Sequence, residues 1–148
     1  MFFINIFKFS INNVIISDNI ASRGGGGLAV QSVDMVNMTN CSITNNRTRN
    51  GYEGSTQGGA GIYIGADYAY PSTMNLNDVT ISGNVIEEES VSGVGAGILI
   101  EPYGSSIVMN GGSIEGNINN SQIPDGSAIY SSGSLDFNDV TISGNSGS

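Results

Sequence analysis

The sequence predicts an all-β chain whose short parallel strands stack in successive coils, and three observations predict it. An eleven-residue phrase recurs five times, at 9–19, 36–46, 74–84, 107–117 and 135–145, and each copy closes on an asparagine. Inside each copy apolar residues alternate with polar ones. Between copies, glycine-rich runs introduce a second family of apolar strands. Recurrence at intervals of 27, 38, 33 and 28 residues is what a stacked repeat leaves in a sequence, because each unit buries its core face only against its neighbours.

Aligned by offset, the phrase resolves into columns. Its first position holds Phe9, Val36, Met74, Ile107 and Leu135, and two residues on stand Ile11, Met38, Leu76, Met109 and Phe137. Apolar residues two apart mark a strand with one buried face. A polar pair follows (Asn12–Asn13, Thr39–Asn40, Asn77–Asp78, Asn110–Gly111, Asn138–Asp139), residue types that tolerate left-handed backbone and turn the chain. A second strand then aims Val14, Cys41, Val79, Gly112 and Val140 inward, followed by Ile16, Ile43, Ile81, Ile114 and Ile142.

The phrase ends on Asp18, Asn45, Gly83, Gly116 or Gly144, then on Asn19, Asn46, Asn84, Asn117 or Asn145. The first of each pair suits a positive φ. The second is expected to form a ladder, each amide bonding to backbone and to the next amide. Such a role is structural, since buried polar groups serve first to satisfy one another.

The second strand family reads Gly27–Val30, Gly61–Ile64, Gly97–Ile100 and Ala128–Ser131. One coil is then a glycine corner, a strand, a variable loop, a strand, a bend, a strand and an asparagine corner. Three strands per coil and about four to five coils describe a β-helix with strands roughly 4.8 Å apart, forming a single repeat domain over 1–148. The absence of a polar capping element after the last asparagine suggests a fragment of a longer array.

Composition narrows the class. Thirteen acidic residues against four basic ones give a net charge of −9, which repels phosphate backbones and argues against nucleic-acid partners. Clusters of Lys and Arg that would hold anionic lipid are missing. Cys41 is the single cysteine, so no internal disulfide forms. The apolar opening MFFINIFKF is too short to span a bilayer and lacks the charge and cleavage site of a signal peptide, so it reads as a strand entering the first repeat. From its third position the phrase approaches the leucine-rich pattern L-x-x-L-x-L-x-x-N. The further apolar residue that pattern needs is present only at Ile86, against Ala21, Thr48, Asn119 and Gly147, and the leucine-rich reading fails.

Gly-Ala-Gly-Ile at 59–62 and 95–98, Ser-Ala-Ile at 127–129 and the NLNDVTISGN-like segments resemble the right-handed parallel β-helix family of the pectin-lyase type. Within it they are most similar to polymorphic outer-membrane-protein repeats and to autotransporter adhesins. The resemblance spans Phe7 to Asn145. In those repeats a Gly-Gly-Ala-Ile element alternates with Phe-x-x-Asn; here Ile replaces Phe, as at Ile81–Asn84. The resemblance implies a right-handed coil and a secreted or cell-surface protein, at the outer membrane if the source is bacterial.

Many pectin-lyase-type proteins act on polysaccharides, so chemistry must be sought. The galacturonan hydrolases of the fold resemble one another in a set with His-Gly, Asp-Asp and Arg-Ile-Lys, all absent here. Its lyases need calcium-binding aspartates beside a basic residue, whereas Lys8, Arg23, Arg47 and Arg49 stand without an aspartate cluster. Glu87, Glu88 and Glu89 are consecutive in a loop and point apart. Gly58-Gly59-Ala60-Gly61 begins like the calcium nonapeptide, yet its ligand position holds Tyr63, and Leu99 in the next copy. No catalytic residue, metal or cofactor is expected.

The exterior offers three further features. Sequons at Asn37, Asn40 and Asn119 fall on outward or loop positions and would accept glycans in a secreted eukaryotic protein, whereas Asn46 belongs to the ladder. Ser42/Thr44, Thr80/Ser82 and Thr141/Ser143 make an outward hydroxyl row interrupted by Ile15 and Glu115, which ordinary strand preference explains. Ala29, Tyr63, Leu99 and Tyr130 are the outward residues of the second strand family. Either they form a contact stripe, framed by loops 65–73 and 101–106 with Tyr68, Tyr70 and Tyr103, or loop 67–73 folds over them. The expected function is non-catalytic presentation of loops for adhesion, or for contact with a glycan or cell-surface protein. The alternative is a fragment of a polysaccharide lyase or hydrolase whose catalytic residues lie outside this chain.

Overall fold

The computed structural model describes residues 7–49, 57–65, 70–87 and 92–147. All regular structure among them is β, in four sheets whose strands pair in parallel, each with the equivalent strand of the next repeat. The largest sheet stacks Lys8–Asn12, Met35–Thr39, Thr73–Ser82, Ser106–Glu115 and Ser134–Asn138 in chain order, with Ile15–Ser17, Ser42–Thr44 and Thr141–Ser143 beside them. A second sheet stacks Ile20–Ala21, Arg47–Thr48, Val85–Ile86, Ile118–Asn119 and Ser146–Gly147. A third holds Gln57–Gly58, Ser92–Val94 and Ile123–Asp125, and a fourth Leu28–Gln31, Ile62–Gly65, Ile98–Ile100 and Ile129–Ser131.

The register of the large sheet matches the sequence columns residue for residue. Met74 pairs with Val36 and Ile107, and Ile81 with Ile43 and Ile114. Met38, Ile43, Met74, Leu76, Ile81, Met109 and Ile114 are wholly buried in one continuous core with Ile62, Ile64, Ile98 and Ile100 of the fourth sheet. In the outer repeats the same columns stay open, with Phe9 52% and Ile142 47% exposed, because only a neighbouring repeat covers them.

Three strands per repeat proves too few. The stretch between the asparagine corner and the glycine corner, to which no strand was assigned, carries strands of the second and third sheets. These strands are two or three residues long, too short to show an alternation, and they form because the neighbouring repeat offers a backbone ladder. The polar pair, in turn, does not always break the strand: Thr73–Ser82 runs unbroken through Asp78, although Asp78 has φ 51°.

Corners are set by left-handed residues in register. Asn13, Asn40, Asp78 and Asp139 adopt φ between 51° and 56°, and Asp18, Asn45, Gly83, Gly116 and Gly144 between 57° and 62°. A third such column is all glycine: Gly25, Gly59, Gly95 and Gly126, with φ of 55° to 69°. At Gly95 a side chain would also run into the Ile98 carbonyl, so this corner excludes any other residue.

Beside the second column stand the closing asparagines. The Asn19 and Asn46 amides each donate from backbone N and from Nδ2 to the Oδ1 of the asparagine one repeat on, at 3.0–3.1 Å. Asn84 repeats this toward Asn117, and Asn117 toward Asn145, at 2.9–3.0 Å. The second Nδ2 hydrogen of Asn84 reaches the Ile43 carbonyl, and that of Asn117 the Ile81 carbonyl, both at 3.0 Å. Asn46, Asn84 and Asn117 are wholly buried. A serine column does related work at another corner: the Val33 amide donates to Ser72 Oγ, and the Ser72 amide to Ser105 Oγ, each at 3.0 Å.

Two stability outcomes follow. Ile81→Asp would bury a charge among Ile43, Ile114 and Ile98 and should cost several kcal/mol, roughly 3 or more. Thr80→Asp, on the outward face, should stay within about 0.5 kcal/mol; equal losses in thermal melts would contradict the register. Asn84→Ala strands the Asn46 backbone amide and the Ile43 carbonyl and should cost roughly 3 kcal/mol. Asn75→Ala loses a single 2.9 Å bond to Asn37 Oδ1 in a partly exposed setting, and chemical denaturation should show a loss below about 1.5 kcal/mol.

Candidate functional site

The third and fourth sheets meet at the glycine corner, and their outward residues face one another across a groove. On the fourth sheet Ala29, Tyr63, Leu99 and Tyr130 are paired in register. Two residues further along, on the same face by the period of a strand, stand Gln31, Gly65, Glu101 and Ser132. One row is mainly apolar and the other mainly polar. From the third sheet come Gly58, Val94 and Asp125, also in register.

The groove comprises two adjoining cavities. One, of about 450 Å³, is lined by Arg23, Gly24, Ala29, Gln31, Gly58, Tyr63, Leu99 and Glu101. The other, of about 400 Å³, is lined by Ser92, Val94, Leu99, Glu101, Pro102, Ile123, Asp125, Tyr130 and Ser132. Leu99 and Glu101 belong to both and so mark the centre.

Tyr63 donates its phenol proton to Glu101 Oε2 at 2.8 Å, across neighbouring repeats. Gly65 permits this: a side chain there would lie 2.6 Å from the Tyr63 hydroxyl. Partial burial, then the hydrogen bond to Glu101 and its charge, push the Tyr63 hydroxyl up to about 12, partly offset by Arg23. The phenol therefore stays protonated and holds one oxygen of the carboxylate in place.

The expected stripe is only partly exposed. Leu99 is 4% exposed, covered by Gly58 and Val94 of the facing sheet, and the expectation of an open Leu99 is corrected on that ground. Tyr63 is half-buried and Tyr130 is 37% exposed. Tyr70 and Tyr103 are 62% and 51% exposed, past the end of the fourth sheet, and line neither cavity. Tyr68 lies outside the described residues, as do Glu88 and Glu89.

The sequon positions divide. Asn37 is half-buried, and Asn40 is exposed at a left-handed bend. Asn119, expected outward, is wholly buried instead, donating to the Gly93 carbonyl at 2.8 Å and accepting from Ser121 Oγ at 2.8 Å. Its strand faces inward because it pairs with buried Ile86, and a glycan has no room there.

Sequence reasoning missed Glu101, Arg23, Gln31 and Asp125. A signal for Glu101 existed: it stands two residues after Leu99, on the same outward face. Among the described residues, no three His, Cys, Asp or Glu side chains gather into a metal-holding group. No family model, no curated protein and no solved structure matches the chain significantly.

The perturbed phenol gives a pH prediction. Because its folded-state value lies above the ordinary 10.0, its contribution to stability is full below about pH 10 and is lost as pH rises through about 12. Ultraviolet titration at alkaline pH should show one phenol step near 12 that Tyr63→Phe removes and that Glu101→Gln shifts toward 10.

Proposed function

We propose that the chain is a right-handed parallel β-helix of the pectin-lyase type, akin to polymorphic outer-membrane-protein repeats. It is secreted or displayed on a cell surface, and it acts without catalysis, by contact with a glycan or a surface protein. The parallel pairing of equivalent strands and the buried asparagine bonds support the β-helix reading. Ile in the place of Phe in the Phe-x-x-Asn element separates this chain from the polymorphic repeats proper.

The observation that carries the contact role is the groove. It crosses four repeats, from Arg23 and Ala29 to Tyr130 and Ser132, and combines partly exposed aromatic rings with charged and amide groups. Aromatic faces stack on sugar rings and anchor protein interfaces, while the polar groups fix orientation. The rigid stack beneath holds these side chains in place before any partner arrives, which lowers the ordering cost of binding.

The test is a binding screen of the purified chain against glycan arrays and intact cells. Wild type should bind, and Tyr130→Ser should weaken binding about tenfold with an unchanged melting temperature. Wild type binding neither glycans nor cells, or binding untouched by Tyr130→Ser, would remove this reading.

A further inference from the structure

We infer that the groove takes an uncharged oligosaccharide laid along the stacking direction, with Glu101 as the residue that grips its hydroxyls and Tyr63 as the residue that positions Glu101. This rests on the contact role proposed above and names its ligand class and central residue.

The placement of Glu101 comes first. It lines both cavities, so a ligand occupying either one passes it. One carboxylate oxygen is engaged by the Tyr63 phenol at 2.8 Å. An ionised carboxylate has about four acceptor sites on its two oxygens, and one hydrogen bond from Tyr63 leaves most of them for a ligand. Vicinal hydroxyls are suited to them: two O–H donors on adjacent carbons reach two acceptor sites of one carboxylate. Charge-assisted bonds of this type are about twice as strong as neutral ones.

The arrangement around Glu101 fits a sugar chain further. Beside the polar row of Gln31, Glu101 and Ser132 stand the partly exposed rings of Tyr63 and Tyr130, in register on either side of the buried Leu99. A pyranose has the same two-sided character, with C–H faces above and below and hydroxyls around its edge. Tyr63 and Tyr130 lie two strand spacings apart, roughly 10 Å, about the reach of a disaccharide. The whole groove spans three spacings, roughly 14 Å, room for about three units.

Charge selects within the sugars. Glu101 and Asp125 both line the second cavity, and the chain carries −9 overall, so uronate, sulfated and phosphorylated chains are repelled. A basic peptide would be drawn to the two carboxylates but would meet Arg23 at the other end and would leave the two rings without a matching face. An uncharged saccharide uses every part of the groove.

The experiment titrates the isotope-labelled chain with cellotetraose, chitotetraose and mannotetraose, and separately with tetragalacturonate and tetralysine, followed by amide shifts. At least one neutral tetrasaccharide should move the amides of residues 98–101 and 129–132, and tetragalacturonate should move none of them. Glu101→Gln should weaken that neutral ligand about tenfold or more. Tyr63→Phe, which keeps the ring, should weaken it about threefold to tenfold, and both variants should melt within a few degrees of wild type. That separates positioning from a merely structural role. Binding of tetralysine alone, shifts confined to another face, indifference to Glu101→Gln, or release of reducing ends from the tetrasaccharide would each overturn the assignment. If binding to arrays or cells persists in Glu101→Gln, this site fails while the contact role stands; if wild type binds nothing, both fail.

Discussion

A buried primary amide has two donors and an acceptor to satisfy, and the asparagine column of this chain satisfies them only when repeats sit directly on one another. Asn84 Oδ1 accepts from the backbone and side chain of Asn46, and its Nδ2 donates both to Asn117 and to the Ile43 carbonyl. A slip in register would leave several buried polar groups unpaired, each at about 1–3 kcal/mol. The aliphatic columns by themselves forbid a slip of one residue, which would turn them outward, but tolerate a slip of two, since Val, Ile, Leu and Met replace one another in them. The amides therefore complete the specificity, and the apolar core supplies most of the driving force.

That division explains what the sequence disclosed. Inward columns, both left-handed corners of the phrase and the asparagine bonds were legible because each recurs five times at fixed offset, so a single alignment exposes them. The short strands were not, since two residues such as Val85–Ile86 form through the ladder of the next repeat and carry no pattern of their own. Asn119 was misread for the same reason: its strand is specified by pairing with Ile86, and the polar side chain is made tolerable by Ser121 and Gly93, partners that no spacing rule reveals.

The candidate groove was half legible. Alternation alone gives the outward row containing Tyr63, Leu99 and Tyr130. Whether that row is open depends on the wall opposite, and Val94 and Gly58 belong to strands that the sequence hid. The Tyr63–Glu101 bond joins residues 38 positions apart, and it needs the missing side chain at Gly65 as much as the two partners. A glycine in a strand reads as a weakness; here it is the space through which a phenol crosses to the next repeat.

The uneven intervals between phrases have a consequence for how such a chain can change. Asparagines bonded to one another stand 27, 38, 33 or 28 residues apart, yet the paired strands keep one register. The additional residues fall between paired strands, as between Thr48 and Gln57 or between Gly65 and Thr73, where the fourth repeat needs only the steps from Asn119 to Ile123 and from Ser131 to Ser134. Doubling the length of a flexible connection costs only about 0.6 kcal/mol. Changes of length at these two places should therefore cost folding little, while the paired strands keep their register. Diversity of the surface and conservatism of the interior become separate inheritances, and segments foreign to the chain could be grafted there without disturbing its register.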